Sequence, residues 1–243
     1  MKNFKLKRVW AEASLLKGTV IKITAKDKLH HLNTVLKIRF GESIRLFNES
    51  DGEWLGLIQE KNNKAIVIKI KEQLRQPKSG NNIAIAFAPI KHDRLRFLIE
   101  KCTEIGATKF IPVITERTVT RNINLTKLHT YAVGAAEQSE RLSIPDIKDS
   151  ILLKSFLEQY NADHILFCNE RSDSKFINEA LQKFPRNCRL IILIGPEGGF
   201  SVQERDSLAS HNNIHPVSLG ENILRAETAA IFALTCAISI TKK

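Results

Sequence analysis

Two stretches of the chain set glycine and charged side chains at the ends of apolar runs. The first is Leu190-Ile191-Ile192-Leu193-Ile194-Gly195-Pro196-Glu197-Gly198-Gly199-Phe200-Ser201. A buried-type strand here ends in a glycine-rich turn and opens directly into a helix. In an α/β sheet, ligands bind at the carboxyl ends of the strands, and glycine lets the backbone approach them closely. The stretch lacks the Gly-x-Gly-x-x-Gly of a dinucleotide site and the Gly-Lys-Ser/Thr of a phosphate loop, which argues against a dehydrogenase or an ATPase. An acidic Glu197 inside the turn opposes phosphate and suits a ligand with positive charge. A plain tight turn is the competing reading. The second stretch is Val217-Ser218-Leu219-Gly220-Glu221-Asn222-Ile223-Leu224-Arg225-Ala226-Glu227-Thr228-Ala229-Ala230. Again a strand ends in glycine and enters a helix, with Arg225, Glu227 and Thr228 at the helix start. Two such loops from neighbouring strands build one pocket.

The elements that position these loops follow from periodicity. Residues 1–75 read as short strands: alternation runs through Phe4–Val9, Ser43–Phe47 and Lys64–Ile70, with turns at Gly41, Gly52 and Asn62-Asn63. A helical stretch, Lys28–Ile38, puts Leu29, Leu32, Val35 and Leu36 on one face. Short strands at this spacing suggest a small barrel. Residues 76–82, Gln-Pro-Lys-Ser-Gly-Asn-Asn, form a linker. Beyond it, strands at Ile83–Ala88, Lys109–Ile114, His164–Cys168, Leu190–Ile194 and Ile214–Leu219 alternate with helices at His92–Ile105, Leu125–Arg141, Ser201–Ser210 and Ala226–Ile240. This is the pattern of an α/β domain with a parallel sheet over 83–243. Ser201 with Glu204 makes a capping box. The last helix is apolar nearly all round, so it is buried on several sides, within its own domain or between subunits.

Composition bounds the rest. The chain has 243 residues, 43% hydrophobic and 26% charged, which excludes a disordered chain. No apolar run approaches the roughly 20 residues of a membrane helix, and no secretory signal is expected at the first residues, which lead into no apolar core. A soluble, cytoplasmic protein is expected. Cys102, Cys168, Cys188 and Cys236 form no Cys-x-x-Cys pair and read as reduced core thiols. The histidines show no metal-ligand spacing, so no metal is expected. Residues 1–75 hold 16 Lys+Arg against 8 Asp+Glu, most of the net charge of +11. Such a module points to a polyanion, nucleic acid above all, or else to a lysine-rich surface kept for solubility.

The paired loops Ile194–Phe200 and Leu219–Ala229 closely resemble those of the RsmE-type RNA methyltransferases of the SPOUT superfamily. Three further stretches agree in order: Lys91-x-Asp93-Arg94, Glu100-Lys101-x-Thr103-Glu104-Ile105-Gly106 and Glu137-Gln138-Ser139-x-Arg141. The resemblance covers nearly the whole chain. It implies a PUA-like β-barrel followed by an α/β domain tied in a carboxyl-terminal trefoil knot. It implies transfer of a methyl group from S-adenosylmethionine to N3 of a uridine in 16S rRNA of the small subunit, near the decoding centre. It also implies a homodimer through the knot region and last helix. The cofactor is then expected among three loops. These hold Leu166 and Phe167; Gly195, Pro196, Glu197, Gly198 and Gly199; and Leu219, Gly220, Ile223, Leu224, Arg225, Glu227, Thr228 and Ala229.

Glu137, Gln138 and Arg141, with Arg225, are expected to orient the uracil and ease loss of its proton. Glu137 and Arg141 share a helix face, so a surface ion pair is the alternative. RNA contacts are expected at Arg8, Lys28, His31, Arg39, Lys91 and Arg94, and a helix pair at Lys101 and Glu104. Glu140 departs from the resemblance, because relatives often carry a smaller residue there. The competing functions are a related knotted methyltransferase with another target atom and an RNA-binding assembly factor without catalysis.

Overall fold

The computed structural model describes residues 6–78, 80–169, 174–185 and 188–241. Phe4 and Lys5 of the first expected strand lie outside them. The chain divides into two compact units, residues 1–79 with 136–144, and residues 80–135 with 145–243.

The first unit contains β1 (Arg8–Trp10), β2 (Val20–Ile23), α1 (Lys26–His30), β3 (Ser43–Asn48), β4 (Gly52–Lys61) and β5 (Ile66–Arg75). Its sheet order is β1-β3-β4-β5-β2, with β1 parallel to β3 and the other pairs antiparallel. The strands β2 and β4 were not legible as strands. In β4 the register against β5 shifts at three places, between Glu53 and Trp54, Leu55 and Gly56, and Ile58 and Glu60, which breaks the two-residue alternation. Gly56 is required here, because a Cβ would lie 2.5 Å from Leu46 and 2.6 Å from Ile68. These two residues, with Ile44, Ile58, Ile66 and Ile70, form the unit's core. After α1 the chain makes a π-helical turn over His31–Val35, in which the Leu36 N–H donates to the His31 carbonyl. The wider winding keeps Leu29 and Leu32 inside but turns Val35 out, 61% exposed, off the face on which it was expected.

The second unit carries β6 (Ile83–Phe87), α2 (His92–Ile105), β7 (Lys109–Ile114), α3 (Leu125–Gln138), β8 (Asp146–Ile147), β9 (Ile151–Leu152), α4 (Leu153–Gln159), β10 (His164–Cys168), α5 (Ile177–Leu181), β11 (Leu190–Ile194), α6 (Val202–Ala209), β12 (Ile214–Val217) and α7 (Ala226–Thr241). The last three residues of α3 group with the first unit. The strand order is β12-β10-β11-β6-β7-β8, with β9 on β7, and every pair is parallel. The sheet agrees with the expected α/β class and is consistent with a knotted methyltransferase domain. Alternate strand residues face opposite layers. Ala84, Ala86, Ile191 and Leu193 pack with Phe156 and Leu157 of α4 and Leu208 of α6, while α7 lies against β6, β11 and α2.

The helix α2 opens at an extended Lys91 and stops where Gly106 takes φ +132°. Lys101 and Glu104 form the expected pair at 2.7 Å. The Ser201–Glu204 capping box is present in both directions. The helix α3 ends at Gln138, short of the expected Arg141, because Glu140 adopts φ +59°. The short helices α4 and α5 and the two-residue strands β8 and β9 were not anticipated, being too short to show a period.

Candidate active site

The strands β10, β11 and β12 are neighbours, so the loops that leave their carboxyl ends converge. After β11 the chain turns through Gly195–Gly199, where the Gly199 N–H donates to the Pro196 carbonyl at 2.8 Å. Gly195 is required by contact, since a Cβ there would sit 2.5 Å from the Phe200 ring. Phe200 in turn meets the edge of Phe167 at 5.1 Å. After β12, the Gly220 N–H donates to Ser218 Oγ at 3.2 Å. The chain then enters α7, where the Ala229 N–H donates to the Arg225 carbonyl.

Together these loops wall a cleft of ≈ 830 Å³, open to solvent. It is lined by Gly195, Pro196, Glu197, Leu219, Gly220, Ile223, Leu224, Arg225 and Ala229, all anticipated, and by Cys168, Asn169, Ser218, Asn222, Ile194 and Ala226, which were not. Gly198 and Gly199 line a contiguous cavity on the other side of the glycine turn. Leu166 and Phe167, expected at the first loop, are instead buried in the sheet. The reason is register: β10 stays paired with β12 as far as Cys168 opposite Val217, so the strand gives way to cleft-lining residues only at Cys168 and Asn169. Glu227 is buried beneath the cleft and Thr228 is exposed, and neither lines it. Ile223 stands 71% exposed at the rim.

The charges of this site form one arrangement. Arg94 Nη1 lies 3.6 Å from Glu197 Oε1, and its Nε lies 3.9 Å from Glu227 Oε1. Arg94 was expected on RNA; its guanidinium is directed instead at the acids of the two loops. The second carboxylate oxygen of Glu227, Oε2, is buried and has no hydrogen-bond partner among the described residues. A buried carboxylate oxygen without a donor is costly, and a ligand N–H would satisfy it. Arg225 lines the cleft and forms no ion pair among the described residues. Burial, reinforced by Cys236, pushes the Cys168 thiol up to about 12, so it remains protonated.

The remaining expected residues, Lys91 apart, belong to the first unit, and most have structural partners there. Arg8 is 5% exposed, its Nε 2.6 Å from Glu53 Oε1, and its Nη1 donates to the carbonyl of Ala136. Its expected RNA contact is therefore replaced by a buried ion pair. Glu53 also receives Arg75 at 2.8 Å. Burial pushes the Glu53 carboxyl up, but the hydrogen bonds and charges of Arg75 and Arg8 outweigh it and hold its pKa below the ordinary value. Glu137 accepts the Trp10 N–H at 3.0 Å and lies 3.6 Å from His31 Nε2. Its pKa is raised because burial outweighs those partners. Burial lowers the Arg141 pKa to about 10. Gln138, Arg39 and Lys91 are exposed, and Lys28 pairs with Glu12 at 2.9 Å. Glu140 has a use within this unit: its carboxylate accepts from Arg45 at 2.8 Å and its carbonyl from Arg75 at 2.9 Å.

Comparison with known proteins decides the family. Residues 77–238 match the model of an RNA methyltransferase domain, and residues 23–71 match that of an RNA methyltransferase PUA domain. The chain is 36% identical over 230 residues to the ribosomal RNA small subunit methyltransferase E of Rickettsia conorii, covering 95% of this chain and 94% of that protein. The chain belongs to the ribosomal RNA small subunit methyltransferase E family. The Synechocystis member is 31% identical over 93% of this chain and 75% of its own. Among solved structures, the family member from Neisseria gonorrhoeae bound to S-adenosyl methionine superposes with a TM-score of 0.84, at 25% identity over 97% of this chain and 98% of that one. A putative methyltransferase from Legionella pneumophila, solved with its bound cofactor, gives 0.81 at 26% identity, covering 98% and 97%. The PUA assignment agrees with the basic first unit, and membership of this family agrees with the cleft at the carboxyl ends of the sheet.

Proposed function

We propose that this chain methylates N3 of a uridine in 16S rRNA of the small ribosomal subunit, using S-adenosylmethionine held in the cleft between the glycine turn and the Leu219–Ala229 loop. Family membership supports an S-adenosylmethionine-dependent rRNA methyltransferase. The observation that carries the cofactor reading is the cleft itself. Its walls offer backbone groups at Gly195 and Leu219–Leu224 to read a flat heterocycle, and Leu219, Ile223, Leu224 and Pro196 to cover it. Among the described residues, Glu197 supplies the one carboxylate on the lining, suited to a positive centre or to ribose hydroxyls. The cofactor, when bound, would supply an electrophilic methyl group for the uridine nitrogen.

The chain's own residues must position N3, accept its proton and exclude water. Positioning provides much of the acceleration. Arg225, on the cleft wall without an acidic partner among the described residues, faces the charge that develops on the uracil carbonyls. Arg94 holds Glu197 and Glu227 on their two loops. Glu137, Gln138 and Arg141 remain the candidates for handling the base that the resemblance names. Glu137→Ala separates the readings: a loss of turnover with cofactor affinity kept supports the catalytic role, and turnover and cofactor affinity left intact remove it.

Lys28, His31, Arg39 and Lys91 are proposed RNA contacts. We also propose a cytoplasmic homodimer through the knot region and α7, where Ile231, Phe232, Cys236 and Ile240 remain half-buried along one apolar helix. No described helix is long and apolar enough to cross a membrane. The direct test is calorimetry with S-adenosylmethionine, followed by mapping of the methylated nucleotide in small subunits. About one equivalent per chain and a methyl on uridine N3 support the reading. A methyl elsewhere selects the related-enzyme alternative, and RNA binding without cofactor binding selects the assembly factor.

A further inference from the structure

The glycine turn has a second side. Along Gly195–Gly199 lies a second cavity, ≈ 710 Å³ and open to solvent, that shares Cys168, Asn169, Gly195 and Glu197 with the cofactor cleft and adds Arg117 and Arg205. Arg117 Nη1 donates to the Gly198 carbonyl at 2.9 Å, and Arg205 Nη1 donates to the Phe200 carbonyl at 2.8 Å. Each guanidinium carries five N–H donors in a planar fork, and each commits one of them here. Neither arginine has an acidic partner among the described residues. These two are held on backbone carbonyls and line the cavity, where their two guanidinium charges outweigh Glu197, the single carboxylate on its described lining.

Their positions are pinned. The Glu116 N–H donates to Glu204 Oε1 at 2.8 Å, which ties the Arg117 loop to the capping-box residue of α6. Thr115 and Thr118, both buried, close the same loop through a 2.9 Å bond from the Thr115 N–H to Thr118 Oγ1. Arg205 sits on α6 itself. Two forks fixed to one rigid turn are pre-organised for an oxyanion, and arginine favours the bidentate geometry of phosphate.

We infer that this cavity is an oxyanion subsite that takes a phosphodiester of the RNA strand beside the target nucleotide. The inference rests on the rRNA methyltransferase reading and adds to it a second wall of the same turn. Such a contact positions the strand without reading sequence. It also fixes the target base on the side of the turn that faces the cofactor cleft. A carboxylate of the cofactor is the other oxyanion source, and the test separates the two.

The test measures binding, so it does not depend on turnover. Arg117→Gln and Arg205→Gln are compared with the wild type for affinity to isolated small subunits across a salt series, and for S-adenosylmethionine by calorimetry. The expected result is a roughly tenfold loss of subunit affinity for each variant, with cofactor affinity unchanged. The slope of log affinity against log salt should shrink by about 0.7 per arginine removed. Arg117→Lys should restore the slope but not the whole affinity. Cofactor affinity lost with subunit affinity kept would assign the arginines to the cofactor and overturn the inference, as would variants identical to the wild type in both assays. If Arg205→Gln disturbs folding through Phe200, Arg117→Gln, exposed and in a loop, carries the test alone. Failure of the wild type to bind S-adenosylmethionine would strike the functional reading, whereas the salt series would still judge the subsite.

Discussion

The three glycines of the Gly195–Gly199 turn should respond differently to the same substitution, because the structure gives each a different reason to be glycine. At Gly195 an added methyl would lie 2.5 Å from Cε2 and 3.1 Å from Cδ2 of Phe200. Phe200 is 5% exposed and braced edge-on by Phe167, so the ring has little room to retreat. Overpacking of this kind costs about 1–3 kcal/mol. Because Gly195 also walls the cleft, any shift of the turn should weaken the cofactor; 1.4 kcal/mol is tenfold in affinity. At Gly198 the nearest atoms are Arg117 Cβ and Cδ at 3.6 and 3.7 Å, ordinary contacts, so alanine should be nearly neutral. At Gly199 nothing lies within 4 Å, but φ is +66°. The cost there is backbone strain, about 1 kcal/mol, with no steric component. The assay is thermal unfolding of Gly195→Ala, Gly198→Ala and Gly199→Ala with calorimetric titration of S-adenosylmethionine. The expected order of damage to cofactor affinity is Gly195→Ala, then Gly199→Ala, then Gly198→Ala. A Gly195→Ala protein with wild-type stability and affinity would refute the steric argument. Equal losses at all three would show that the turn acts through general flexibility instead.

Glu53→Gln should cost about 3–5 kcal/mol in denaturant unfolding, because it leaves Arg8, 5% exposed, without its buried counter-charge. In the wild type the lowered Glu53 pKa means that its contribution is present above the ordinary carboxylate value and is lost as pH falls below it, which an acid unfolding series should show. His215 should titrate below the usual imidazole value by NMR, since burial, with the charges of His164 and Lys183, disfavours its protonated form. Its depressed pKa makes the native state more stable above the unfolded imidazole value and less stable as pH drops through it. Cys168 should resist iodoacetamide at pH 8, where a thiol near 12 is roughly one part in ten thousand thiolate. Rapid labelling of Cys168, followed by peptide mass spectrometry, would contradict that environment.

Much of the second unit was legible because its strands are buried on both faces and its helices are long enough to show a stripe. Ile83–Phe87, Leu190–Ile194 and the Ser201 cap needed nothing from elsewhere in the chain. The same holds for the two glycine turns, whose residue types announce close backbone approach wherever they fall. Local pattern failed where the partner strand or the winding decides the outcome. The three register shifts in β4 removed the alternation that would have marked it as a strand, and the π turn at His31–Val35 moved Val35 to solvent. Side-chain roles were the least legible. An arginine reads the same in sequence whether it meets RNA or a buried carboxylate. Only the fold shows that Arg8 is enclosed with Glu53, that Arg94 reaches Glu197 and Glu227, and that Arg117 and Arg205 come together at the glycine turn without an acidic partner among the described residues. Residue type sets which charges are available, but desolvation and pairing depend on distances between segments far apart in the chain, and tertiary structure alone sets those.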